Sequence, residues 1–267
     1  MKPVLFQLGP FPVSSFGVFL LLAFVVGILL LRARTVRFGW ESGEVLDLSL
    51  YAIIGGVIGA RIGYVLVYLK DFAGDPARVL TIWKDAGLTF YGALIGGALV
   101  AWIYGRRRGW TLGQTADAAT PGLALGYAIA MIGTLLYGLN YGRPAAVPWA
   151  VTLFGEPRHP TQLYLLVAAL VIFAVLLAAE KRPHAPGRLF WTFLFLYGVA
   201  RSVIEVWMDS PRVVGGLTLA QAVNIIVVVV AGALWVSLGR RLPAAGYSGG
   251  ASPAAPPAQP GAVDPRD

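Results

Sequence analysis

The chain has 267 residues, of which 57% are hydrophobic and 13% charged, with a mean hydropathy of +0.72; an average soluble domain carries about 25% charged residues. Apolar residues in long blocks with so few charges exclude a water-soluble globule and indicate an all-α polytopic membrane protein. The formal net charge of +8 does not indicate a nucleic-acid partner, because the basic residues sit in short clusters between apolar blocks. With no cysteine in the chain, disulfides, thiolate catalysis and cysteine-ligated metal are excluded within it.

A helix needs about 20 apolar residues to cross the hydrocarbon core. Seven predicted spans follow in chain order, near 14–33, 46–69, 89–105, 113–136, 162–180, 188–207 and 217–239, the third being short. Their hydrophobicity is continuous, unlike the alternating strands of about 10 residues in a barrel. The first block has no basic start and runs on into Arg32 and Arg34, so it is expected to stay in the mature chain rather than be removed as a signal. Small residues at four-residue spacing (Gly55, Gly59, Gly63; Gly92, Gly96) predict close helix packing. Residues 1–242 form the transmembrane domain, and 243–267, rich in Pro, Ala, Gly and Ser, are expected to be a disordered cytoplasmic tail.

Alternate connections divide the charges. One side carries Arg32, Arg34, Arg37, Arg106, Arg107, Arg108, Lys181, Arg182, Arg188, Arg240 and Arg241; the other carries Lys2, Lys70, Arg78, Lys84, Arg143, Arg158 and Arg212, diluted by Asp71, Asp75, Asp85 and Glu156. Basic excess marks the cytoplasmic side, which puts the N-terminus outside and the C-terminus inside.

An ionisable group inside a span costs a few kcal/mol and needs a partner or a wet cavity. Arg61 lies in the second span, Asp117 near the start of the fourth, and Arg201 and Glu205 four apart on one face of the sixth, where they are expected to bridge. Arg61 is expected to snorkel, to bind Asp117 or to line a cavity. The orientation brings Arg61, Arg201, Glu205 and the segment 156–164 to one level near the outer headgroups, and so predicts a functional cavity there. His159, followed by Pro160, reads as a base, a phosphate ligand or a helix cap. No metal site is expected, since His184 falls on the opposite side and no carboxylate cluster accompanies either histidine. No inverted repeat supports a channel or transporter.

Four segments resemble the bacterial prolipoprotein diacylglyceryl transferases, in that family's order: Gly59-Ala60-Arg61-Ile62-Gly63-Tyr64-Val65-Leu66, Gly87-Leu88-Thr89-Phe90-Tyr91-Gly92-Ala93-Leu94-Ile95-Gly96, Arg158-His159-Pro160-Thr161-Gln162-Leu163-Tyr164, and Tyr197-Gly198-Val199-Ala200-Arg201-Ser202-Val203-Ile204-Glu205. The third is the most specific. The resemblance implies seven helices in the bacterial cytoplasmic (inner) membrane and an enzyme that moves the diacylglyceryl unit of phosphatidylglycerol onto the lipobox cysteine of a prolipoprotein signal peptide. A thioether forms and glycerol phosphate leaves. It implies membrane-lipid and signal-peptide partners and no cofactor. It assigns Tyr91, His159, Arg201 and Glu205 to catalysis and Arg61, Arg143, Arg158 and Gln162 to substrate binding.

The chain departs from the family pattern Gly-Arg-hydrophobic-Gly-Asn-Phe-x-Asn-x-Glu-x-x-Gly-Arg. Across 130–143 it has Met131 for an arginine, Thr134 for an asparagine and Leu139 for the glutamate, while keeping Gly133, Gly142 and Arg143. Phe16 stands for a tyrosine, Tyr91 for a frequent histidine and Met208 for another arginine. The alternative reading is a paralogue that binds phospholipid or signal peptide without transfer.

Overall fold

A computed structural model describes residues 2–34, 38–72, 75–80 and 87–240. The expected tail, together with Arg37, Lys84, Asp85 and Arg241, lies outside these residues.

Among them, seven long helices occupy the seven predicted blocks: α1 (Ser15–Arg32), α2 (Ser42–Val67), α3 (Phe90–Arg107), α4 (Leu112–Tyr137), α5 (Thr161–Ala179), α6 (Arg188–Ile204) and α7 (Leu219–Gly239). Six are long and apolar enough to cross a membrane; α3, whose last turn holds Arg106 and Arg107, is not in that set. Three two-stranded antiparallel hairpins were not foreseen: β1 (Val4–Leu8) with β2 (Phe11–Ser14), β3 (Val151–Leu153) with β4 (Glu156–Arg158), and β5 (Arg212–Val214) with β6 (Leu217–Thr218). The last two turn through consecutive positive φ angles, at Phe154-Gly155 and Gly215-Gly216, the geometry whose twist matches paired strands.

Helix starts are written locally. The hydroxyls of Ser14, Thr111 and Thr218 accept from the amides of Gly17, Gln114 and Gln221, and Gln114 and Gln221 return bonds to the amides of Thr111 and Thr218. Successive helices run antiparallel, as their contacts show. Gly59 meets Gly92 while Gly55 meets Gly96; Gly27 of α1 meets Gly122 of α4; Leu176 of α5 packs with Leu189 of α6. A Cβ on Gly59 would lie 2.3 Å from the Gly92 carbonyl oxygen, and one on Gly92 equally close to that of Gly59. The glycine stripe therefore packs backbone on backbone, as expected, and α3 lies along α2 over most of its length.

This up-and-down order places all three hairpins at one end of the bundle, the hairpin end, and the connections rich in arginine at the other, the basic end. The outward faces are apolar, with Leu21, Ile226 and Val229 mostly exposed, the inverse of a water-soluble surface.

Candidate functional site

At the hairpin end the chain segment 141–145 forms the centre of a small backbone ribbon. On one side the Gly142 amide donates to His159 (3.2 Å), the His159 amide to Arg143 (3.1 Å) and the Ala145 amide to Pro157 (3.0 Å). On the other, the Arg143 amide donates to Trp207 (2.9 Å) and the Asp209 amide to Tyr141 (3.2 Å). Gly142 permits this crowding, since a Cβ there would sit 2.4 Å from the His159 carbonyl oxygen and 2.9 Å from that of Trp207. Helix α5 grips the same turn: the Thr161 hydroxyl donates to the Asn140 carbonyl and Gln162 Nε2 to the Leu139 carbonyl (2.7 Å). Gln162 is fully buried, and its Oε1 accepts no hydrogen bond from the described residues.

Three arginines stand on this ribbon, and they differ in what neutralises them. Arg158 donates through Nη1 to Asp209 (2.8 Å) and to the Gly142 carbonyl, and through Nη2 to Glu156 (3.0 Å). These carboxylates, the Asp209 hydrogen bond foremost, push its pKa above the ordinary arginine value. Arg201 bridges to Glu205 through Nη1, as the four-residue spacing predicts, and the same nitrogen lies 2.7 Å from the Met208 sulfur. Arg143 donates from Nε to the Met208 carbonyl (3.1 Å). Arg143 and Arg201 thus flank buried Met208 from its carbonyl and its sulfur. Arg143 has no carboxylate partner among the described residues and keeps both terminal nitrogens unbonded; Arg201 keeps Nε and Nη2.

His159 faces an aromatic group. Its Nδ1 is 3.1 Å from the Tyr164 hydroxyl, which also accepts from Trp149 Nε1 (2.7 Å), and its ring lies 6.3 Å from that of Trp207. Its Nε2 has no protein partner among the described residues. The His159 and Arg201 segments therefore meet, whereas Arg61, included in the same expectation, turns to the α2–α3 connection.

The remaining candidates stand elsewhere. Arg61 is buried, and its guanidinium donates to the carbonyls of Val79 (2.8 Å), Gly87 (3.2 Å) and Arg78, with the Phe72 and Tyr64 rings over it at 5.3 and 5.7 Å. It staples the α2–α3 connection. Asp117 accepts from the amides of Gly187 (2.7 Å) and Phe190 (2.8 Å) at the start of α6, with His184 at 3.7 Å. That arrangement corrects the expected Arg61–Asp117 alternative. Tyr91 is exposed at the start of α3, with its ring edge on Phe90, and no described contact joins it to the ribbon.

The departures from the family pattern have structural explanations. Met131 is buried with Leu165 and Ile204 in an apolar cluster, and Thr134 returns its hydroxyl to the Met131 carbonyl (2.8 Å). Phe16 meets the edge of Tyr137. Sequence reasoning missed Trp149, Tyr164 and Asp209, and at the basic end the buried two-point bridge between Arg34 and Glu180. A glutamate in an otherwise basic connection was the available signal for that bridge.

The family model for prolipoprotein diacylglyceryl transferase matches residues 3–237. This chain belongs to that family. It is similar to proteins named phosphatidylglycerol–prolipoprotein diacylglyceryl transferase: in Thermus thermophilus, 37% identical over 227 residues (74% of this chain, 81% of the relative); in Aromatoleum aromaticum, 35% over 228 residues (81% and 86%); and in Clostridium tetani, 29% over 240 residues (86% and 95%). The matched region contains the entire ribbon. In this member of the family, unlike the pattern, the 131 position is apolar core, and the unneutralised guanidinium of the site is Arg143.

Proposed function

We propose that this chain transfers the diacylglyceryl group of phosphatidylglycerol to the cysteine thiol of a prolipoprotein signal peptide. The observation that carries the reading is the pair of guanidiniums around Met208: Arg143 with both terminal nitrogens unbonded, and Arg201 with Nε and Nη2 unbonded. Membership of the family and the names of the relatives supply the reaction class.

In the reaction a bond forms between the thiol sulfur and the terminal carbon of the diacylglyceryl unit. The bond from that carbon to the phosphate oxygen breaks, and its electron pair stays on the departing glycerol phosphate. The thiol proton goes to solvent. A free thiol of pKa about 8.5 needs modest help to ionise, so the heavier demand is on stabilising the phosphate. Two arginine forks suit its oxygens, and each donor removed from such a charge costs roughly 3 kcal/mol, about a hundredfold in rate. Glu205 holds Arg201 in place. Gln162 and Arg158 build the ribbon that presents Arg143. Arg61 acts through the connection whose carbonyls it binds, and Tyr91 is exposed at the start of α3.

The site faces outward in the cytoplasmic membrane, with the N-terminus outside. Support comes from Arg32, Arg34, Arg106, Arg107, Arg108, Lys181, Arg182, Arg188 and Arg240 gathered at the opposite end. Because the chain has no cysteine, single-cysteine variants test this cleanly: in intact cells an impermeant maleimide labels Thr152→Cys and spares Arg107→Cys; the reverse pattern overturns the orientation.

The apolar setting of Met131 favours one second reading, a lipid-binding paralogue without transfer. Protein reconstituted with phosphatidylglycerol and a lipobox peptide separates the two. Transfer adds one diacylglyceryl mass to the peptide cysteine and releases one glycerol phosphate. Retained phosphatidylglycerol with no such product establishes the paralogue.

A further inference from the structure

The imidazole of His159 and the phenol of Tyr164 form a short chain that ends on an indole. Trp149 Nε1 is a donor only, so its bond to the Tyr164 oxygen at 2.7 Å makes that oxygen an acceptor. The phenol's own hydrogen is left to place, and the acceptor within reach among the described residues is His159 Nδ1, at 3.1 Å. A neutral imidazole that accepts at Nδ1 carries its proton on Nε2. The ring is further fixed through its backbone: the His159 amide is held by Arg143, and its carbonyl accepts from Gly142 and from Thr161 (2.9 Å). In that tautomer Nε2 is a donor with no protein partner among the described residues, on a residue paired through its backbone with Arg143.

We infer that Tyr164, held by Trp149, is a positioning residue that fixes His159 as the Nε2–H tautomer, so that His159 donates a hydrogen bond to the anionic phosphate beside Arg143 instead of acting as a base for the thiol. The inference rests on the proposed transfer only for the identity of the anion. The tautomer assignment rests on the Trp149–Tyr164–His159 contacts and not on the reaction. Tyr164 touches no reacting atom and acts through the imidazole, while Trp149 acts one step further out.

The test uses the full chain in phosphatidylcholine nanodiscs, labelled with nitrogen-15 histidine and carrying His184→Gln so that one imidazole remains. The expected spectrum has Nδ1 in the unprotonated range and Nε2 in the protonated range; Tyr164→Phe turns it into a mixture of tautomers, and added phosphatidylglycerol moves the Nε2 signal. A protonated Nδ1 in the otherwise unchanged chain, or a Tyr164→Phe spectrum identical to its parent, overturns the assignment. An Nε2 signal indifferent to phosphatidylglycerol overturns the phosphate contact.

Activity gives a second readout. The glutamine amide nitrogen stands near the place of imidazole Nε2 and the asparagine nitrogen near that of Nδ1. His159→Gln therefore keeps transfer within about tenfold, whereas His159→Asn and His159→Ala lose about a hundredfold. Equal loss in all three marks a base and overturns the donor role. If the unaltered protein makes no thioether while the spectra behave as expected, the transfer reading fails and the tautomer assignment stands.

Discussion

At the basic end, Arg34 and Glu180 meet in a two-point bridge, and both carboxylate oxygens of Asp117 accept from the amides of Gly187 and Phe190 at the start of α6. At the hairpin end, Arg143, Arg201 and His159 keep donors without protein partners among the described residues. Both ends carry buried or half-buried ionisable groups of the kind a bilayer penalises. The difference separates charges spent on protein partners from charges with donors left over, and the proposed function gives the second set to the substrate. Arg61 belongs with the basic end by this measure, since its guanidinium is turned onto loop carbonyls.

The contrast can be broken most sharply at Arg34. Arg34→Ala breaks the buried pair with Glu180 and is expected to cost about 3–5 kcal/mol of stability, read by denaturation in detergent, while transfer per folded molecule stays unchanged. Arg34→Met with Glu180→Leu recovers most of that stability; a large loss of turnover in the double variant would end the division between the two ends.

Next comes Arg143→Ala, expected to lower transfer about a hundredfold with little loss of stability. Arg143→Lys restores only part, because an ammonium lacks the fork. Gly59→Ala forces a Cβ against the Gly92 carbonyl and costs about 1–3 kcal/mol by overpacking, measured as a lower melting temperature. The smallest effect is Tyr91→Phe, expected to change transfer by less than about threefold, within the range of a lost peripheral hydrogen bond; a hundredfold loss would move Tyr91 into the reacting centre.

Much of the helical frame was legible because continuous apolar runs and glycine spacing are local signals. The hairpins were not, being only two to five residues per strand beside much longer helices, although Gly215-Gly216 and the glycine after Phe154 mark two of their turns. Within the site, the Arg201–Glu205 bridge could be read from spacing and His159 from its motif. The division of labour among the arginines could not, because it depends on which carboxylates the folded ribbon brings near. Asp209 reaches Arg158 and not Arg143, and nothing in the linear order distinguishes the two. Met131 shows the same point in reverse: its neighbours Leu165 and Ile204 come from two other helical segments.

The central claim is that the unspent guanidiniums of the hairpin end serve phosphate-leaving transfer. Thioether formation on a lipobox peptide, followed by mass spectrometry in phosphatidylglycerol proteoliposomes for the unaltered chain and for Arg143→Ala, tests it most directly. The account predicts one diacylglyceryl adduct per peptide cysteine with the first protein and a rate about a hundredfold lower with the second. Equal rates for the two proteins, or no adduct with the unaltered chain, would contradict it.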